Sequence, residues 1–559
     1  MADEVETPML LNPVDGAVDY KGRPFFRFRC GGWRSASLII GVEVAERFAY
    51  YGVSSNLVTY LTGPLGESTA TAAANVNAWA GTAALLPLLG GFIADSFLGR
   101  YRTVIVASLL YILGLGLLSM SATLPSVSGF GCQNNNNMLC STPQFRVILF
   151  YFSLYLVAIG KGGHKPCTQA FGADQFDGQD PEECKCKSSF FNWWYCCAAA
   201  GVIVSVLIVS YIQDNLSWAL GFGLPCIAMV IGLVVFLLGT TTYRYSIELN
   251  KRGPFVRIGS VFVAAFRNRR RTLGLLPDRD SDQFRFLNRA LLAPTHLQED
   301  DCVCSRADIE EAKAVLRLVP IWLTCLTYGI VFAQSSTLFT KQGATMDRTI
   351  VSGSSSKISA ASLQCFIYLT VLIFLPIYDR IFVPVARTFT RAPSGITMLQ
   401  RIGVGFLFHA LSMVVAALVE LKRLKTAQEY DLVDMPSAMI PMSVWWLLPQ
   451  YLLFGIADVF SLVGMQEFFY DQVPTELRSI GLALYFSVFG IGSFLSSFLI
   501  SVIEKATADG EGRNSWFSNN LNRAHLDYFY WLLFGLSTVG FAAYLHFANS
   551  YIYNTRGKR

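Results

Sequence analysis

Long apolar runs alternate with short polar breaks along this chain. Runs of roughly 20 residues, the length a helix needs to cross a bilayer, begin near Ser35, Ala73, Thr103, Val147, Phe190 and Trp218. Six more begin near Val315, Ser359, Ile402, Val444, Ser479 and Tyr528. The clearest are TVIVASLLYILGLGLLSMSATL and YFYWLLFGLSTVGFAAYLHFA. The pattern predicts an all-α membrane protein of about twelve transmembrane helices in two six-helix halves. It divides the chain into an N-terminal tail (1–34), a first bundle (35–242), a polar linker (243–313), a second bundle (314–549) and a C-terminal tail (550–559). The second run ends in GGFIADSFLGR, and the eighth ends in the weaker echo YDR, Tyr378 to Arg380. A duplicated six-helix unit leaves such an Asp beside an Arg at matched junctions.

Composition agrees with this reading. The 559 residues are 53% hydrophobic and only 15% charged, with a mean hydropathy of +0.42, whereas a soluble domain is nearer a quarter charged. Basic clusters at GRYR, RNRRR, YDRIFVPVARTFTR and the terminal RGKR all fall inside if both termini are cytoplasmic. Lys422, Arg423 and Lys425 follow the ninth run and conflict with that topology. The net charge of +5 needs no nucleic-acid partner, because positive cytoplasmic loops account for it. The N-terminus has no basic n-region, so the first helix is expected to serve as the insertion signal. The thirteen cysteines include no CxxC pair, and no metal site is expected. Cys132 and Cys140 flank QNNNNML in a loop facing away from the cytosol, which makes them a disulfide candidate.

The first run is costly for lipid, because GVEVAERFAYYG carries Glu43, Glu46 and Arg47. On a helix these positions share one face and can pair with one another as a structural ion pair. Ionisable groups inside a membrane also mark ion and proton pathways, and two carboxylates beside one cation leave an acid in excess, as a proton relay requires. In AIGKGGHKPCTQAFGADQFD, Lys165 offers a counter-charge. Lys161 reads as a snorkelling residue, and His164 as a histidine bonded to a neighbouring helix. Asp458 lies in the middle of the tenth run and is the candidate polar contact of the second half, while Glu467 further on reads as interfacial.

These stretches resemble the plant nitrate/peptide transporter family, the proton-coupled oligopeptide transporter branch of the major facilitator superfamily. EVAER is similar to that family's E-x-x-E-R motif, GGFIADSFLGRYRTVIVASLLYILG to its long signature, and GGHKPCTQAFGADQFD, SFFNWWY and EFFYDQVP to further blocks. The resemblance implies a major facilitator fold. It further implies that Glu43, Glu46 and Arg47 couple protons to solute with Lys165 as partner, and that Arg47, Lys165 and Asp458 contact the solute. It assigns Gly91, Asp95, Gly99 and Arg100 to a conformational gating motif. Two positions depart from the family's best-known carriers. Ala199 stands where peptide carriers have an asparagine, and Thr349 where nitrate carriers have a histidine.

The expected function is therefore proton-coupled symport of a small polar or anionic solute, nitrate first, with a di/tripeptide, glucoside or hormone as the alternative. The proton is the coupling ion and no cofactor is expected. A passive channel and a non-transporting solute sensor are the rivals from other classes, and no nucleophile–base pair points to an enzyme. ETPMLL in the tail places Glu6 before Leu10 and Leu11. This acidic dileucine pattern is an address for the vacuolar membrane, read by a sorting adaptor, with the plasma membrane as the alternative.

Overall fold

The computed structural model describes residues 13–26, 31–124, 144–177, 180–246, 254–269, 284–291, 305–349, 357–390, 396–436, 438–473, 478–507 and 515–551. The sorting stretch with Glu6, Leu10 and Leu11 lies outside them, as do Cys132 and Cys140. The first half contains α1 (Gly32–Ser54), α2 (Leu57–Thr62), α3 (Thr69–Ile93), α4 (Arg100–Thr123), α5 (Gln144–Ala173), α6 (Pro181–Asn215) and α7 (Trp218–Leu238). The linker contributes α8 (Pro254–Arg267). The second half contains α9 (Arg306–Phe332), α10 (Leu338–Ala344), α11 (Cys365–Ile377), α12 (Val383–Thr390), α13 (Met398–Glu429), α14 (Leu448–Asp471), α15 (Arg478–Thr507) and α16 (Leu526–Asn549).

Among the described residues, 11 helical stretches are long and apolar enough to cross a membrane, and α1 with its 23 residues completes twelve. What sets α1 apart is its three intramembrane charges. Two helices start well before their apolar runs. α6 opens at Pro181, a favoured first helical residue, through Glu182, Glu183, Lys185 and Lys187. α9 opens on a capping box between Ser305 and Asp308. Counting apolar residues finds the part of a helix inside lipid and misses these polar first turns.

The echo between GGFIADSFLGR and YDR has a structural counterpart. α3 runs into a π-helical turn at Ala94–Leu98, and α11 into another at Tyr378–Phe382. They close the second helix of each half. π-turns are rare, so the pair is in keeping with the sequence echo. Gly99 follows the first one at φ 74°, a left-handed conformation that glycine adopts without strain.

The N-terminal tail is not wholly irregular. Strands β1 (Pro13–Val18) and β2 (Pro24–Phe26) form an antiparallel hairpin, and β3 (Tyr245–Ser246) pairs with β1, giving the order β2-β1-β3. The tail is thus tied to the start of the linker. On the outer side, β4 (Met346–Asp347) and β5 (Ile440–Ser443) form a small parallel pair.

The basic cluster after the ninth run is partly internal. Arg423 is fully buried and forms a 2.6 Å ion pair with Glu420 one turn away. Lys422 lies 3.2 Å from the centre of the Trp446 ring. A neutralised guanidinium inside the bundle does not act as a free loop charge, so the positive-inside count loses one of its three exceptions, while Lys422 and Lys425 stay exposed.

The two halves meet tightly at their outer ends. Lys341 donates to Thr62 Oγ1 at 2.7 Å, Gln364 to the Ser55 carbonyl at 2.9 Å, and Asn77 to Ser496 Oγ at 3.0 Å. Arg348 and Asn56 both reach Asp214, at 3.4 and 2.8 Å. Towards the opposite ends, Gln466 donates to the exposed Tyr195 hydroxyl at 3.0 Å.

Lys341 lies between spans, and burial lowers its pKa from 10.5 to about 8. In the window from about 8 to 10.5 an opened outer end holds a proton that the closed one lacks, so raising the pH there favours closure. Below about pH 8 the cation is present in both forms and its desolvation cost is constant. Lys341→Met removes this desolvation cost together with the 2.7 Å bond to Thr62, so closure should no longer depend on pH across that window. It should also flatten the alkaline rise in thermal stability. An alkaline rise that survives in Lys341→Met assigns it to another group.

Candidate functional site

α1 presents Glu43, Glu46 and Arg47 to the interior of the first half. Arg47 Nε donates to Glu43 Oε1 at 2.7 Å and meets Glu46 Oε2 at 3.8 Å. Glu43 and Glu46 are 1% and 0% exposed. Glu43 is committed to the guanidinium through one oxygen, whereas neither oxygen of Glu46 has a hydrogen-bond partner among the described residues. Buried carboxylates are ordinarily paired or hydrogen-bonded. Glu46 is thus the acid in excess that the residue pattern anticipates.

Two lysines of α5 face this group. Lys165 is half-buried two turns before the helix end, and its ammonium lies 4.7 Å from the centre of the Phe486 ring on α15 of the opposite half. It makes no ion pair with Glu43 or Glu46 within 4 Å, although its charge acts on both. Lys161 departs from the sequence expectation. It does not snorkel but is 6% exposed, with its ammonium 3.0 Å from the centre of the Tyr50 ring. There a π face substitutes for water. Beside it α5 packs so closely on α3 that a Cβ on Gly90 would lie 2.2 Å from the Gly162 carbonyl oxygen. His164 bonds Thr168 Oγ1 on its own helix, at 3.2 Å, rather than a neighbouring helix.

The gating stretch is divided. A Cβ on Gly91 would meet Pro166 only in ordinary contact, and the glycine that close packing demands is Gly90 beside it. Asp95 lies in the π-helical turn. Arg100 Nη1 donates to Asp174 Oδ2 at 2.5 Å, tying the start of α4 to the end of α5.

Asp458 on α14 is 4% exposed and accepts a hydrogen bond from the Tyr328 hydroxyl of α9. His409 of α13 stacks on Tyr328 with ring centres 4.2 Å apart and lies 4.4 Å from Phe454. Neither His409 nitrogen has a hydrogen-bond partner among the described residues. Glu467 is 44% exposed and meets Arg401 at 3.7 Å, as an interfacial acid does. Between the halves, Tyr51 and Tyr368 meet edge to face at 5.3 Å, directly after the charged turn.

Reading the residues in order missed Tyr50, Tyr328 and His409. Tyr50 follows Glu46 by four residues and shares its face, so that signal was available. Tyr328 and His409 join Asp458 from helices distant in sequence, and no local pattern marks them. Tyr328→Phe leaves a buried carboxylate short of its donor and is expected to cost about 1–3 kcal/mol. Asp458→Glu adds a methylene and shifts the carboxylate relative to the Tyr328 hydroxyl, and should change the relative uptake of competing solutes. Thermal unfolding and competition uptake measure the two; an unchanged solute profile in Asp458→Glu removes Asp458 from selection.

The sequence profile of the POT family matches residues 101–517. NRT1/PTR FAMILY 5.10 of Arabidopsis thaliana is 62% identical over 560 residues, which cover 98% of each chain. NRT1/PTR FAMILY 5.12 of the same plant is 56% identical, with 97% of this chain and 96% of that one covered. Among solved structures, the chain is similar to an auto-inhibited POT family peptide transporter, with TM-score 0.69 and 21% identity over 94% of this chain and 99% of that one. A POT family transporter in complex with 5-aminolevulinic acid gives TM-score 0.63 and 16% identity, over 92% and 96%. At these identities the structural likeness shows the fold.

Proposed function

This chain belongs to the POT family of membrane transporters, and from that premise we propose that it is a proton-coupled symporter moving a small polar or anionic solute, nitrate first, from the vacuole into the cytosol. The observation that carries the coupling is Glu46: a fully buried acid neither of whose oxygens has a hydrogen-bond partner among the described residues, beside an arginine already held by Glu43. In one proton cycle Glu46 takes up a proton from the acidic side, the halves rock, and the proton leaves on the other side as Arg47 and Lys165 release the solute. The cations supply the attraction an anion needs, and the aromatic rings around them exclude water and strengthen it. Downhill proton flow from an acidic vacuolar lumen carries a symported solute the same way.

A second reading has one observation in its favour. Asp458 in the opposite half is a carboxylate suited to an amine, and relatives by fold include peptide transporters and one holding 5-aminolevulinic acid. A solute with both an acid and an amine would use both poles. Uptake of labelled nitrate, a dipeptide and a glucoside, in one cell type at two external pH values, separates the readings. Saturable nitrate flux that requires a pH gradient supports the first, and flux confined to the dipeptide replaces it with the second. A fluorescent fusion tests the address. Leu10→Ala with Leu11→Ala should divert it to the cell surface, and a wild-type fusion already at the surface reverses the direction.

A further inference from the structure

α8 in the linker has two apolar stripes on opposite sides. Ile258, Val261 and Ala265 point inward and pack with Ile309 and Ala312 of α9. On the other side Val263 and Phe266 are 68% and 67% exposed, and nothing lies within 4 Å of a Cβ built on Gly259. A surface helix of a water-soluble unit carries polar residues on that outer stripe. Phe286, from the 3-10 turn Arg285–Leu291 that packs beside α8, extends the exposed apolar face. Together Phe262, Val263, Phe266, Phe286, Arg269 and Arg289 line an open groove of about 450 Å³.

The groove is apolar along its floor and cationic at one end. Arg289 Nη1 donates to the Arg269 carbonyl at 2.6 Å, and the Arg269 guanidinium lies 4.4 Å from the centre of the Phe266 ring. The two cations therefore sit where the aromatic floor ends. The flanking sequence has the same sign: between Glu248 and Asp278 there are seven basic residues and no acidic one. An apolar stripe bordered by cations is the pattern of a helix lying in a membrane interface, and clusters of four to eight Lys or Arg beside a span select anionic lipid.

We propose that the outer face of α8, completed by Phe286 and the Arg269–Arg289 pair, docks on the cytosolic leaflet and binds an anionic phospholipid. An acyl chain lies along the groove and the headgroup phosphate meets the two guanidinium groups. Because the chain already spans the bilayer, this partner is beside the linker at all times, and binding needs no separate encounter. A neutral phospholipid supplies the acyl chain but offers the arginines a phosphate compensated by its own amine, so the preference falls on net negative charge.

The test uses the full-length protein in nanodiscs of phosphatidylcholine, alone or with phosphatidylserine. A benzoylphenylalanine photocrosslinker replaces Val263, or in a second sample Phe266. The expected result is a lipid adduct enriched in phosphatidylserine relative to the disc. Apparent affinity for phosphatidylserine, titrated through disc composition, should fall about fivefold for each charge removed in Arg269→Gln and Arg289→Gln. Arg269→Lys with Arg289→Lys should retain it. Native mass spectrometry of co-purified lipid gives a second measure that needs no crosslinker. Lipid adducts without headgroup preference overturn the proposal, as does crosslinking to acidic linker residues of the same chain. Equal loss in the glutamine and lysine variants also overturns it, because charge is then not what binds.

Discussion

Glu46→Gln is expected to reduce proton-driven uphill accumulation to passive equilibration while leaving the protein folded. Glutamine keeps the shape of the side chain and its hydrogen-bonding capacity, but it has no proton to exchange at physiological pH. The substitution is mild structurally because Arg47 retains its 2.7 Å bond to Glu43. Glu43→Gln differs. It takes away the negative charge that neutralises Arg47, keeping only a neutral amide oxygen as acceptor, and leaves the guanidinium with the more distant Glu46, at 3.8 Å, as its counter-charge. Losing one partner of a buried pair costs about 3–5 kcal/mol, so Glu43→Gln should impair folding as well as coupling. Transport by purified protein in proteoliposomes, with an imposed pH gradient, reads the coupling, and thermal unfolding reads the fold. Undiminished uphill accumulation by a folded Glu46→Gln protein would remove Glu46 from the proton path.

Arg423→Met is expected to produce the largest loss of stability in the second half, about 3–5 kcal/mol. Arg423 and Glu420 are both 0% exposed. The guanidinium also donates to Asn522 Oδ1 at 3.0 Å and to the Leu521 carbonyl at 2.7 Å, so it pins α13 to the segment before α16. Removing it strands a buried carboxylate next to Asp527, another acid that is 2% exposed. The combined Glu420→Leu, Arg423→Met variant removes both charges, and a buried pair replaced by apolar groups is often near neutral. It should therefore unfold at a higher temperature than Arg423→Met alone. If the single variant is the more stable of the two, the Leu521 and Asn522 contacts rather than the uncompensated charge carry the effect.

Much of this architecture is local, and local information is what a sequence carries openly. The twelve spans, the polar linker between two halves and the one-faced cluster Glu43, Glu46, Arg47 follow from bilayer thickness, the cost of charge in lipid and the helical period. Each depends on residues within a few turns of one another. The motifs EVAER and GGFIADSFLGR also sufficed to place the chain in its family, because they recur as contiguous strings.

Other features depend on pairs that no local rule relates. Lys161 reads as a snorkelling residue and Lys165 as the counter-charge, yet Lys161 is buried on Tyr50 and Lys165 lies on Phe486 of the opposite half. Both rings come from other helices, so no pattern along α5 marks them. Arg423 reads as a loop cation until Asn522 and Leu521, about a hundred residues later, enclose it. Asp458 was visible as a central acid, but Tyr328 and His409 reach it from other helices. The sequence alone determined which segments enter the membrane and which of them carry charge, because the bilayer acts on each helix separately. Which charges are paired, which are spare and which face solvent was decided by helix packing, since desolvation and hydrogen bonding depend on neighbours that only the tertiary structure brings together.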